Sequence, residues 1–190
     1  QKFLVMKKLL LILAVVFSAA SANAQFADSG FKTIAELGLN IGWEKVSNSG
    51  KSVSLFGTVT PSLQSSFGGM ICRQVYVGAG LGYSAYIPVS DLNALEGGKA
   101  STVSAVKLYG HARFYTSPAG NGVIIDTTLG YQRAFGNVKA NMFDFFVGPG
   151  YLFSDRYAVA VGYTGAISGK DSYGNTIFWH GPAVKFSVEF

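Results

Sequence analysis

The sequence predicts an all-β protein, an eight-stranded antiparallel up-and-down transmembrane β-barrel. Three observations lead there. Residues 183–190 alternate apolar and polar without a break, so Val184, Phe186, Val188 and Phe190 share one face of a strand and Lys185, Ser187 and Glu189 the other. Segments of the same kind recur about every 20 residues, separated by turn clusters. The charged residues within them keep to one face, whereas Lys or Arg turned to the bilayer midplane would cost roughly 2–4 kcal/mol.

The first segment spans about residues 33–44, with Ala35, Leu37, Leu39, Ile41 and Trp43 on one face and Glu36, Gly38, Asn40 and Gly42 on the other. Ile34 alone breaks its polar face. After Ser47-Asn48-Ser49-Gly50, a second segment turns Val53, Leu55 and Val59 outward against Ser54, Thr58 and Thr60, with Pro61 marking its end near Leu63. The third, residues 75–87, alternates Val75, Val77, Ala79, Leu81, Tyr83, Ala85 and Ile87 with Tyr76, Gly78, Gly80, Gly82, Ser84 and Tyr86. The longest loop, Pro88 to Ser101, follows.

The fourth segment sets Val106, Leu108, Gly110, Ala112 and Phe114 against Lys107, Tyr109, His111, Arg113 and Tyr115. Beyond the turn at 117–122, the fifth opposes Val123, Ile125, Thr127, Leu129 and Tyr131 to Asp126, Thr128, Gly130 and Gln132. The sixth opposes Phe143, Phe145, Val147 and Tyr151 to Asp144, Gly148 and Gly150, with Phe146 out of pattern. The seventh carries Val159, Val161 and Tyr163, and the eighth follows a polar loop at 168–175 and runs to Phe190. An even count returns a meander to the side where it began, which places the connections at 45–51, 88–102, 134–141 and 167–176 outside the cell and those at 68–73, 117–122 and 153–157 in the periplasm.

A leader segment followed by one domain is expected. Met6-Lys7-Lys8, the apolar run from Leu9 to Ala20 and the small-x-small site Ala22-Asn23-Ala24 read as a cleavable signal peptide, with residues 1–5 as an upstream extension. The apolar run is too short for a spanning helix, which needs roughly 20 residues. Residues 25–190 form the barrel domain. Removing residues 1–24 takes Lys2, Lys7 and Lys8 from the 15 basic residues, leaves 12 against 10 acids, and lowers the net charge to about +2. With no Lys/Arg-rich run, nucleic acid is not an expected partner. Charged residues make up only 13% of the chain, which suits a surface facing lipid. Cys72 is the only cysteine, so neither an intrachain disulfide nor a multi-thiolate metal site is available, and a buried or turn position suits it.

Glu36, Lys107, His111, Arg113, Asp126, Asp144, Lys185 and Glu189 all fall on polar faces or, for His111, join them, and are expected to form a lumenal polar network. The interior of an eight-stranded barrel is just wide enough for its own side chains, and Tyr76, Tyr109 and Phe56 are expected to occupy much of it, which disfavours an open channel. Trp43, Tyr131 and Tyr151 are expected as interfacial anchors and Trp179 as lumen filling.

The signal peptide, the eight alternating strands, the glycine-aromatic strand Val77-Gly78-Ala79-Gly80-Leu81-Gly82-Tyr83 and the terminal Phe190 give the chain a family likeness. It resembles the small outer-membrane β-barrel proteins of Gram-negative bacteria, of the OmpX-like and OmpA-like, porin-family type, over essentially all of residues 25–190. The resemblance implies residence in the outer membrane among lipid and lipopolysaccharide. It also implies insertion by the barrel assembly machinery, with Phe190 as the terminal signal.

No catalytic residue, cofactor or metal site is expected. Gly78-Ala79-Gly80-Leu81-Gly82 lacks the spacing and the strand-to-helix turn of a dinucleotide loop, and lumenal glycines making room for large neighbours explain it better. His111 and His180 lie in His111-Ala112-Arg113 and His180-Gly181-Pro182, without the His-x-Ser neighbourhood of a lipid A deacylase. His180 is placed on the lipid face near the outer rim, close to Asp171 and Ser172. The preferred function is a non-enzymatic envelope protein with a structural or loop-mediated binding role, whose natural contact for an unidentified protein partner is the loop bearing Asp91, Glu96 and Lys99. A lipid A-modifying enzyme and a narrow porin-like channel are the alternatives.

Overall fold

A computed structural model describes residues 30–48, 51–89, 102–117, 121–136, 139–169 and 175–190. Eight strands follow in chain order: β1 Phe31–Asn48, β2 Lys51–Cys72, β3 Val75–Pro88, β4 Val103–Tyr115, β5 Gly122–Gly136, β6 Asn141–Phe153, β7 Tyr157–Ser168 and β8 Thr176–Glu189. Each pairs antiparallel with its neighbours, and β1 also pairs with β8, so the sheet closes on itself. Closure leaves no free edge, which is what allows a sheet to satisfy its backbone polar groups in lipid. Phe190 completes the seam by exchanging both backbone hydrogen bonds with Thr33, at 2.9 and 3.0 Å.

The side-chain alternation is as the composition of each strand requires. In β4, Val103, Ala105, Lys107, Tyr109, His111, Arg113 and Tyr115 alternate in one direction and Val106, Leu108, Ala112 and Phe114 in the other, the first set into the lumen. The two residues out of pattern belong inside. Ile34 is fully buried against Tyr76, Tyr115, Ile124, Leu152 and Ala158 at the end of the barrel that carries the short turns. Phe146 is buried beneath the Lys185 ammonium, which lies 4.0 Å from its ring centre.

Two expectations for β2 need correction. Pro61 does not end the strand, which continues for eleven more residues to Cys72. A proline cannot donate to a ladder, and here the β2–β3 register simply opens between Val59↔Ile87 and Ser62↔Ser84. The same device recurs at Pro149, where β6–β7 opens between Val147↔Tyr163 and Gly150↔Ala160, and at Pro182, where β1–β8 opens between Asn40↔Ala183 and Trp43↔His180. Phe56 is not in the lumen. A bulge shifts the β1–β2 register between Gly42 and Trp43, and Gly57 opposite it holds φ +123, so Phe56 turns outward beside Trp43, 68% exposed. The side chains of Val53 and Leu55, and the loop residues Asp91, Glu96, Lys99, Asp171 and Ser172, lie outside the described residues. Cys72 is exposed where β2 meets the turn to β3.

Tyr76 and Tyr109 do occupy the lumen, and glycines give them room. A Cβ on Gly80 would sit 2.6 Å from the Tyr109 ring, and one on Gly78 would sit 2.8 Å from that of Tyr76.

Candidate functional site

The seven charged residues picked out by alternation, and His111 with them, are all buried in the lumen, and the fold brings them together in two groups. Arg113 on β4 is the hub of the first. Its register partner on β5 is Asp126, whose Oδ2 accepts from Nε at 2.8 Å and also from Nη2. Across the lumen, Nη1 donates to Glu189 on β8 at 2.8 Å, and Nη2 to Glu36 on β1 at 3.1 Å. A guanidinium suits this position because its planar fork can serve several carboxylates at fixed angles, which a lysine ammonium cannot. Lys185 lies 3.5 Å from Asp126 and 3.6 Å from Glu36, and Lys32 bonds Glu189 at 2.9 Å. Charged groups in so dry a place are tolerated only when paired and hydrogen-bonded.

In the second group Lys107 bonds Asp144 at 2.7 Å. Above it, toward the loops, Tyr86 and Trp179 pack at 5.0 Å within an apolar cluster that includes Val103, Ala134, Met142 and Ala166. Between that cluster and the Arg113 layer lies a cavity of about 50 Å³, lined among others by Asn40, Gln64, Lys107, Asp144, Trp179 and Lys185. Along the axis the described lumen therefore stacks the Ile34–Tyr76 apolar cluster, the Arg113 layer, this small cavity and the Tyr86–Trp179 cluster.

Several members of the first group were not legible as such. Gln64 donates to Glu36, Ser66 contacts His111 at 2.7 Å, and the Tyr115 hydroxyl donates to Glu189 at 3.0 Å. Gln64 and Ser66 lie beyond the point where Pro61 was expected to end the strand. The alternation of Leu63 and Phe67 with Gln64 and Ser66 carries the signal once the proline is read as internal.

Ser66, His111 and Asp126 also line up in the order of a nucleophile, a base and an orienting acid, with His111 Nε2 at 3.2 Å from Asp126. The surroundings do not suit acyl transfer. All three are buried at 1% exposure or less, and Tyr76 donates its hydroxyl to Ser66 Oγ at 3.2 Å where a substrate carbonyl would have to come. Asp126, moreover, is already shared by Arg113 and Lys185. Glu36, His111 and Asp126 offer ligand atoms within 4.8 Å of one another. Their oxygens are bonded to the guanidinium, to the Lys185 ammonium and to Gln64, so a metal would have to enter beside two fixed positive charges.

His180 is elsewhere, on the outer wall. Its Nδ1 lies 2.5 Å from the Tyr163 hydroxyl, and its ring stacks on Phe178 at 4.4 Å and on Trp43 at 5.8 Å.

Between its ends the outer wall is predominantly apolar. Leu37, Leu39, Leu81, Val106, Leu108, Ile125, Leu129, Val147, Val161 and Val184 are all more than 40% exposed there. Aromatic rings bound this band on both sides: Phe31, Phe67, Tyr151, Phe153 and Tyr157 toward the turns, and Trp43, Phe56, Tyr131, Phe135, Phe143 and Tyr163 toward the loops. A greasy belt between two aromatic girdles, around a charged interior, is the inverse of a water-soluble protein. The chain folds as a small β-barrel built to span a membrane.

No protein-family model matches the sequence, and no curated protein matches it. Among solved structures, the barrel is similar to Neisserial surface protein A, at 14% identity and TM-score 0.46 over 82% of this chain and 96% of that one. It is similar to the N-terminal β-barrel domain of Pseudomonas aeruginosa OprF, at 14% identity and TM-score 0.45 over 83% and 97%. It is also similar to Ail, the attachment invasion locus protein of Yersinia pestis, at 12% identity and TM-score 0.49 over 85% and 99%.

Proposed function

We propose that this chain is a non-enzymatic integral outer-membrane protein whose lumen is closed to solute flow and whose contacts with other molecules are made by its wall and loops. The observation that carries this reading is the Arg113 layer, in which one guanidinium ties β1, β4, β5 and β8 together across the interior. An ion entering it would have to part buried charge pairs, and it would then meet the Ile34–Tyr76 cluster below.

Conductance of the purified barrel in planar bilayers tests the closed lumen. Silence is expected, and steady single-channel steps from the wild-type protein would establish a narrow channel instead. Comparing lipid A by mass spectrometry with and without the protein tests the absence of catalysis, with an unchanged acyl pattern expected. The long loop between β3 and β4 is the proposed contact for a protein partner, on the strength of its length and its Asp91, Glu96 and Lys99. Deleting it is expected to abolish capture of that partner while leaving the barrel intact.

A further inference from the structure

We propose that Lys45, Trp43, Tyr163, Phe178 and His180 form a site on the outer wall for the phosphate of a phosphorylated glycolipid in the outer leaflet. The inference rests on the membrane reading above and adds a ligand to it. It begins with depth. His180 and Phe190 both face outward on β8, ten residues apart, and at a rise of about 3.3 Å and a tilt near 40° that is about 25 Å along the axis, the height of the apolar band. Phe190 closes the turn end, so His180 stands at the opposite edge, where acyl chains give way to headgroups.

At that level the wall has an unusual polar feature. An imidazole facing lipid is costly unless its hydrogen bonds are met, and the Tyr163 hydroxyl meets one of them. When that hydroxyl donates to Nδ1, the ring proton resides on Nε2, which has no hydrogen bond among the described residues and becomes a donor to an outside acceptor. Stacking on Phe178 and Trp43 holds the ring in place. Lys45 pairs in register with Phe178 one step nearer the loops and is exposed on the same face, so its ammonium can reach to the headgroup level.

The charge balance says which headgroup fits. On the wall near the loops the strands expose Lys45 and Arg133, while Glu36, Asp126, Asp144 and Glu189 are buried in the lumen. Glu44, the remaining strand acid among the described residues, is half-buried and in register with lumenal Trp179. Among the described residues, the outward-facing strand positions near the loops thus present donors and cations without an opposing carboxylate. An anion is the complementary ligand, and at this depth the anion is a lipid phosphate held over an aromatic shelf.

Native mass spectrometry of the intact barrel in detergent, titrated with lipid A, with its dephosphorylated form and with inorganic phosphate, tests the site. Lipid A is expected to bind about ten-fold tighter than the dephosphorylated lipid, and inorganic phosphate not to compete, because the acyl chains supply the rest of the affinity. K45Q and H180F, which keep the aromatic shelf, are each expected to erase most of that preference, with heat-modifiable gel mobility showing that both variants still fold. Equal binding of the two lipids, or a preference untouched by both substitutions, would overturn the proposal while leaving the barrel in its membrane. A wild-type chain that failed to enter bilayers would bring down the membrane reading and this site with it.

Discussion

Replacing Arg113 by Met is the sharpest probe of the interior, because it removes the charge and keeps most of the volume. Arg113 serves Asp126, Glu36 and Glu189, and charge-assisted hydrogen bonds contribute about 1.5–3 kcal/mol each, which sets a ceiling of roughly 5–9 kcal/mol for three carboxylates. Lys185 remains near Asp126 and Glu36, and Lys32 remains on Glu189, so none of the three is left wholly alone. The guanidinium no longer has to be desolvated either. The expected loss is therefore that of breaking a buried pair, about 3–5 kcal/mol, or roughly two to four orders of magnitude in the folding equilibrium. Urea titration of the protein refolded into phospholipid vesicles measures it, with Trp43 on the wall and Trp179 in the lumen as fluorescent reporters. Adding D126N to R113M is expected to recover at least about 1 kcal/mol by removing one of the uncompensated charges. A loss below about 1 kcal/mol for R113M, or a double variant weaker than R113M itself, would refute the account of the lumen as a mutually dependent ionic layer.

Leu108→Arg on the exposed wall is expected to cost about 2–4 kcal/mol in vesicles, whereas a soluble protein would accept an arginine at such a position within about 0.5 kcal/mol, so the same titration separates the two solvents. Gly80→Val is expected to destabilise by about 1–3 kcal/mol because its Cβ would collide with the Ser65 carbonyl as well as the Tyr109 ring. Gly110→Ala, whose Cβ would meet only the Leu129 carbonyl at 3.8 Å, is expected to stay near neutral on the same scale. Deleting Phe190 removes both backbone bonds to Thr33 at the seam and is expected to cost about 1–3 kcal/mol in the vesicle titration.

Alternation alone made the two faces of most strands readable, since a period of two assigns every side chain to lipid or lumen before any partner is known. It failed where the backbone left that period. At β2, the Gly42/Trp43 bulge and the positive φ of Gly57 reverse the parity and carry Phe56 to the outside. Pro61 does not end the strand because the one N–H it lacks would serve a single neighbour, so only that ladder must open, and here the β2–β3 ladder opens locally while β1 stays in register. Gln64 and Ser66 lie beyond that proline, and with them the full environment of Glu36 and His111.

The sequence by itself therefore determined what faces where in most strands: an apolar wall, outward aromatics, and eight charged or imidazole side chains turned inward. Only the closed tertiary structure decided who meets whom. Arg113 reaches Glu36 across 77 residues and Glu189 across 76, and His180 finds Tyr163 on β7 and Trp43 on β1. Periodicity is a property of one strand, set by the pleat. Contact across a lumen or a seam depends on how far neighbouring strands are staggered when the sheet closes, and no single segment of chain carries that quantity.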